Sequence, residues 1–220
     1  MPVPNLYAIV PAYNEEETVG GVVKTLRASG VFPHVLVVDD GSRDATGRVA
    51  REAGARVLRK PNGGKGAAMR DGIRALPTTW CGVAFFDADL TSLRTDHVHA
   101  MAQGYLDGFD MVCGLRDYGP ATGATLTLPL ITGERILRRG VVEGVHPTCW
   151  CGYAIETAIN HAVRVQGGRT LLLVLEGLQF RKKHDKDGWW TGLQGYAKMA
   201  AEIARATRPL RRSGQCQCSR

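Results

Sequence analysis

The sequence has no apolar run long enough to cross a bilayer. A spanning helix needs about 20 consecutive apolar residues, and the longest aliphatic block, residues 170–175, is only strand-sized. The opening Met1-Pro-Val-Pro-Asn lacks the charged and apolar regions of a signal peptide, so none is expected. The six cysteines include no C-x-x-C pair. Cys149 and Cys151, like Cys216 and Cys218, have C-x-C spacing, while Cys81 and Cys113 sit in apolar runs as small core residues. Neither a structural zinc nor a disulfide framework is expected, and a reducing cytoplasm is the simplest setting. No G-x-G-x-x-G follows the first apolar run, where Pro11-Ala-Tyr-Asn-Glu stands instead; its acidic character excludes a dinucleotide cradle. The stretch around Gly64-Lys65 is no Walker loop, because Arg59 replaces the first glycine and Gly66 the Ser or Thr. A G-G-x-G-T-R-like loop is missing too, which argues against a nucleotidyltransferase. No internal repeat is present. The net charge of +7 forms no single block but concentrates at residues 181–183 and from residue 205 onward. Anionic substrates or lipid headgroups explain such clusters as well as nucleic acid does, and no nucleic-acid partner is expected.

What is present, 220 residues with an ordinary apolar share of 44%, fits one domain or one domain with an appendage. Apolar strand-like runs at residues 6–10, 34–38, 55–58, 80–86 and 110–114 alternate with helical patterns. The first helix carries Val19, Val22, Val23 and Leu26 on one face, and Asn14 with Glu17 resembles a capping box before it. A second helix is expected over 44–53, a third up to residue 76, and a fourth carrying Val98, Met101, Ala102 and Tyr105. This alternation predicts an α/β fold: a doubly wound, mainly parallel sheet with helices on both faces. Beyond Arg116 the pattern loosens. It predicts a loop over 119–129, helices over 131–139 and 153–165, a strand over 169–174, a polar loop over 182–188 and a helix over 189–208. The domain is read as 1–210, with a nucleotide-binding half 1–114 and an acceptor half 115–210; residues 211–220 form a basic disordered tail.

The chemistry converges on Asp87-Ala-Asp89, where the apolar run 80–86 stops at two carboxylates. In open α/β sheets ligands sit outside the carboxyl ends of the strands. Two carboxylates there suit a hard divalent cation that also takes phosphate oxygens; alternatively, one Asp caps a turn and the other is solvated. Tyr13, Glu15, Asp39 and Asp40, at the ends of the first two strands, offer a ring face and acceptors for a nucleobase and ribose. Asp39-Asp40-Gly-Ser is also good turn chemistry. The Gly-rich loop before Lys65 lets backbone approach a ligand, with Lys65 as a point charge. His97 and His99 fall in a helical stretch and read as structural or exposed.

Four ordered segments, Ile9-Val-Pro-Ala-Tyr-Asn-Glu-Glu, Val37-Val-Asp-Asp-Gly-Ser-Arg-Asp-Ala-Thr, Asn62-Gly-Gly-Lys-Gly-Ala-Ala and Phe86-Asp-Ala-Asp-Leu, resemble the family-2 glycosyltransferases of GT-A fold. The resemblance implies that Pro11, Tyr13, Glu15 and Asp40 hold the base and ribose of a nucleotide-sugar. It implies that Asp87 and Asp89 bind Mg²⁺ or Mn²⁺ bridging its diphosphate. The second half more loosely resembles the polyprenyl-phosphate (dolichyl-phosphate) mannosyl- and glucosyltransferase branch. Gly114-Leu-Arg116-Asp-Tyr is similar to a segment whose Arg faces a phosphate, and Thr132-Gly-Glu-Arg135 to a Ser-Gly-Phe-Arg segment. Gly152-Tyr-Ala-Ile-Glu156 is similar to the segment supplying an acidic active-site residue, and Leu178-Gln-Phe180-Arg181 to the edge that ends in Arg. Glu134 departs from the pattern, standing where an aromatic is usual, and Lys183-His184-Asp185 replaces a Gly-x-Ser-Lys loop. In related retaining enzymes that make glucosyl-glycerate compounds a His from a C-terminal loop completes the metal site, which makes His184 the candidate third ligand.

The resemblance thus implies a metal-dependent hexosyltransferase using a UDP- or GDP-sugar. Arg116, Arg135 and Arg181 are the expected phosphate-stabilising residues. Glu156 is the candidate base for a hydroxyl acceptor, or a positioning group for a polyprenyl phosphate that arrives ionised. A polyprenyl phosphate is the preferred acceptor, since the arginines outnumber what one diphosphate requires; a small acceptor such as (phospho)glycerate is the rival. A basic, partly amphipathic C-terminal helix also fits peripheral contact with the inner membrane face. The reading of another class is a non-catalytic nucleotide-sugar binding module.

Overall fold

The computed structural model describes residues 2–116, 132–152 and 154–180. The expected loop over 119–129, the polar loop 182–188, the helix 189–208 and the tail lie outside them, as do Arg181 and His184. Alternating strands and helices appear in the expected order: β1 (Leu6–Ala12), α1 (Val19–Ala28), β2 (Val35–Asp39), α2 (Thr46–Glu52), β3 (Arg56–Arg59), α3 (Lys65–Arg74), β4 (Gly82–Phe85), α4 (Thr95–Leu106) and β5 (Met111–Arg116). They continue with β6 (Arg135–Arg138), α5 (Arg139–Glu143), α6 (Ala154–Val165) and β7 (Thr170–Leu175).

The strands form one sheet in the order β3-β2-β1-β4-β6-β5-β7. Pairing is parallel except where β6 runs antiparallel to both β4 and β5. From β1 the chain winds outward through β2 and β3, then returns to place β4 on the other side of β1. Their carboxyl ends therefore part at a topological switch, the usual crevice of such sheets. Period-2 alternation divides the core between the two faces. Leu6, Ala8 and Val10 point to the layer that includes Val22, Val23 and Leu26 of α1 and Val98 and Met101 of α4. Ile9, Val38, Val83 and Phe85 point to the opposite layer, with Ala68 and Met69 of α3 and Ile155 and Ile159 of α6.

The fold corrects three expectations. The helix expected over 131–139 is not formed by the described residues of that stretch: residues 135–138 make β6, and helix begins only at Arg139. The four-residue strand slots between two strands, so Ile136 and Leu137 bury on opposite faces. The Asn14–Glu17 capping box is not formed, because α1 starts at Val19 with Thr18 as its N-cap. Asn14 instead takes a left-handed φ of 54° and ties the β1 exit to the β2 exit: its N–H donates to Ser42 Oγ at 3.0 Å, and its Oδ1 accepts from Arg43 N at 2.9 Å. Finally, Cys81, Cys113 and Cys149 are free thiols, but Cys151 is disulfide-bonded. No helix among the described residues is long and apolar enough to cross a membrane.

Helix α3 lies close on the sheet because Gly72 has no side chain. A Cβ there would come within 2.8 Å of Ile9 Cγ2 and 3.0 Å of Val38 Cγ2. Gly72→Ala is therefore expected to destabilise by about 1–3 kcal/mol. Gly21→Ala on the exposed face of α1, where a Cβ would meet nothing within 4 Å, is expected to stabilise by about 0.5–1 kcal/mol. Urea denaturation of both variants at constant m-value checks the contrast.

Candidate active site

The carboxyl edge of the sheet is built by short turns that use side chains as struts. The 13–16 turn after β1 is laced to the turn after β2, with Glu15 N donating to Thr46 Oγ1 at 2.8 Å and Ala45 N to Glu16 Oε2 at 2.8 Å. This lacing leaves Pro11 half-buried and the Tyr13 ring 44% exposed at the rim. Asp39 is buried; its Oδ1 accepts from Ser42 N at 2.9 Å, and its Oδ2 lies so close to Gly47 that a Cβ would sit 2.7 Å away. Asp40 is buried as well. Its carboxylate accepts from Lys60 Nζ, from Gly63 N at 2.9 Å and from Gly64 N at 2.7 Å. Asp40 thus clamps the glycine loop onto β2. Lys60, its partner, carried no signal in the sequence.

That clamp delivers Lys65, the first residue of α3, into the middle of the edge. Gly64 turns the chain at a φ of 83°, and Gly66 lets α3 press against the backbone of Cys151, which a Cβ would meet at 2.5 Å. Lys65 Nζ lies 2.8 Å from Asp87 Oδ1 and 2.7 Å from Glu156 Oε1. Burial alone would lower the lysine pKa, but the two carboxylates raise it, so Lys65 is held charged. Burial would likewise raise the Asp87 pKa, but Lys65, with Arg116 and Arg135 behind it, holds it below the usual carboxylate value. Arg116 ends β5 with Nη2 3.9 Å from Asp87 Oδ2 and its guanidinium 3.7 Å over the Phe180 ring. Phe180 is positioned by stitches between the segment after Asp89 and the exit of β7: Thr91 N donates to Gln179 O, and Leu90 pairs with Phe180.

Residues Asp87, Lys65, Glu156 and Arg116, predicted from separate stretches, are thereby brought together. Arg135 is placed otherwise. It is 1% exposed, and its guanidinium donates to Thr132 O at 2.8 Å, Asn160 Oδ1 at 2.6 Å and Glu156 O at 3.4 Å, tying β6 to α6. Its contacts support Glu156 from inside the fold. Glu134 was visible in the sequence as a departure but had no assigned role. It is fully buried, and burial, then the negative charge of Asp87, pushes its pKa up to about 7. His97 is structural: it is buried on α4, with Nε2 3.0 Å from Glu176 O. Among the described residues no three His, Cys, Asp or Glu side chains converge as a metal cage.

Residues 7–160 match the family described as Glycosyl transferase family 2. The chain belongs to that family. Within it, the chain is 36% identical over 141 residues to Glycosyltransferase AglJ of Haloferax volcanii, covering 63% of this chain and 45% of that one. It is 36% identical over 107 residues to 4,4'-diaponeurosporenoate glycosyltransferase of Staphylococcus aureus, covering 46% and 28%. The chain thus spans less than half the length of these curated relatives. Among solved structures, glucosyl-3-phosphoglycerate synthase from Mycobacterium tuberculosis in complex with phosphoglyceric acid superposes with a TM-score of 0.78 at 22% identity, over 95% of this chain and 80% of that chain. The same enzyme with Mn²⁺, UDP-glucose and phosphoglyceric acid gives 0.78 at 23%, over 95% and 79%. The architecture is the GT-A fold of these solved structures.

The Lys65 bridge sets a pH-dependent stability. Because the folded-state pKa of Asp87 is depressed from its ordinary 3.8, its contribution is present above that value and is lost as pH falls through the folded pKa. Lys65→Met strands two carboxylates in a mostly buried setting, and is expected to cost about 2–4 kcal/mol at pH 7. The deficit should narrow below about pH 4 as the carboxyls protonate. Chemical denaturation at both pH values measures it.

Proposed function

We propose that the chain is a metal-dependent glycosyltransferase that moves a hexosyl group from a nucleoside-diphosphate sugar to a polyprenyl phosphate. The observation that carries this reading is the convergence of Lys65, Asp87, Glu156 and Arg116 at the topological switch of a family-2 GT-A sheet. The exposed ring of Tyr13 stacks on the base, with Pro11 and Glu15 beside it, while Asp39 and Asp40 support the ribose end by fixing the surrounding turns.

Asp87 and Asp89 offer hard oxygen donors one residue apart and would hold Mg²⁺ or Mn²⁺. The third candidate, His184, lies outside the described residues. Once bound, the cation stabilises charge on the departing diphosphate. Lys65 and Arg116 act on the same charge as fixed cations: Lys65 is held by two carboxylates, and Arg116 is oriented by the Phe180 ring. Such preorganised charge favours the transition state over the ground state. Arg181 would extend the cationic edge. Glu156, with one oxygen engaged by Lys65, is a positioning group, which suits an acceptor that arrives ionised.

A second reading, transfer to a hydroxyl of phosphoglycerate, is favoured by the superposition on glucosyl-3-phosphoglycerate synthase, which runs through 95% of the chain. Incubating the enzyme and donor with a short polyprenyl phosphate or with 3-phosphoglycerate separates the two.

Calorimetric titration with UDP and GDP, with and without Mn²⁺, tests the donor site. One nucleotide is expected to bind, strengthened by Mn²⁺ by a factor of about ten or more, and Asp89→Ala is expected to remove that gain. If folded protein binds neither nucleotide, the proposal fails.

A further inference from the structure

The hydrogen bonds around Glu134 contain one proton too few for an ionised carboxylate. Thr132 Oγ1 lies 2.6 Å from the carbonyl oxygen of Gly114 and 2.6 Å from Glu134 Oε2. A hydroxyl carries one proton, and a carbonyl oxygen can only accept. If the Thr132 hydroxyl donates to Gly114 O, as that separation requires, the short contact to Glu134 needs a proton on the glutamate. The other oxygen, Oε1, is buried and has no hydrogen-bond partner among the described residues, a costly place for a negative charge.

We propose that Glu134 is a neutral carboxylic acid in the resting enzyme, a positioning residue whose proton closes the relay Glu134–Thr132–Gly114 and fixes the end of β5 that carries Arg116. The relay ties the turn before β6 to β5, reinforced by the backbone bond from Gly114 N to Glu134 O at 2.9 Å. Gly133, between the two relay residues, is packed directly against the Asp87 carboxylate. Neutral, Glu134 adds no negative charge where the proposed site must receive a diphosphate; ionised, it would oppose that ligand. The charged and titratable neighbours are Asp87 on the β4–α4 turn, Lys65 on α3, and Arg116 and the Cys113 thiol on β5; beside Gly114, α4 and β7 contribute Met101 and Leu175, which do not titrate. The functional part of this inference rests on the donor-site reading above; the protonation of Glu134 does not.

The test is carbon-13 NMR of the full chain labelled at glutamate carboxyls, with the Glu134 resonance identified by its loss in Glu134→Gln. A resonance that stays protonated at pH 5.5, where exposed glutamates have ionised, and titrates near neutrality supports the proposal. An ionised Glu134 at pH 5.5 overturns it. If Glu134→Gln does not fold, Thr132→Val serves: removing the hydroxyl should shift one buried carboxyl resonance, and no shift overturns the relay. UDP binding with Mn²⁺ supplies the functional readout. Wild type should weaken about threefold or more from pH 6 to pH 9, while Glu134→Gln, which mimics the neutral acid, should stay flat. Parallel profiles overturn the positioning role. Absence of UDP binding in wild type at every pH would instead end the donor-site reading, and the NMR result alone then decides the protonation.

Discussion

The bridge from Lys65 to Asp87 and Glu156 joins parts of the chain that are far apart in sequence. Lys65 begins α3, Asp87 follows β4, and Glu156 lies in the first turn of α6. A buried charge is tolerated only with compensating partners, so these residues constrain one another: moving α6 strands the lysine, and moving α3 strands two carboxylates. Arg135 extends the constraint from below by donating to the carbonyl of Glu156 and to Asn160 one turn on. Most of what surrounds the site serves to hold this cation in place. Asp40 grips the glycine loop, Gly66 admits the backbone of Cys151, and Gly133 makes room for Asp87.

The arrangement also explains how the edge would receive the proposed anionic donor despite its many acidic residues. Asp39 and Asp40 are engaged by backbone N–H groups and Lys60, and Asp87 by Lys65 and Arg116. Acidic side chains here largely orient donors. The cations they orient, Lys65 and Arg116, are the groups with charge to offer a phosphate, while the ring of Tyr13 marks the apolar end of the crevice.

Much of the fold was legible because apolar runs of strand length alternate with helical periodicity through residue 116, and such local patterns report burial directly. The strand β6 was not. Its four residues begin and end in arginine, and only the presence of β4 and β5 on either side makes them a strand. The same limit applied at the site. Asp87, Asp89 and Lys65 could be placed from their positions at strand ends. That Lys65 meets Glu156, 91 residues away, could not be. Arg135 was expected to face phosphate on the resemblance of Thr132-Gly-Glu-Arg135; the acceptors that bury it come from Thr132, Glu156 and Asn160. Glu134 was conspicuous as a departure, but its meaning depends on a carbonyl of β5 that no local pattern reveals.

The reversal at β6 bears on how the chain is made. As it leaves the ribosome, β1 to β4 can pair among themselves as soon as β4 emerges. Strand β5 comes next, yet among the described residues it pairs only with β6 and β7, and β6 alone connects it to the rest of the sheet. Until β6 has been translated, the nascent sheet ends at β4, an open edge of Gly-Val-Ala-Phe with unsatisfied backbone groups beside apolar side chains. Such an edge is the part of a growing chain most prone to pair with a neighbour. A stalled or truncated product ending near residue 116 therefore carries β1 to β5 in sequence but an unsealed sheet in structure, the kind of exposed edge that calls for a chaperone.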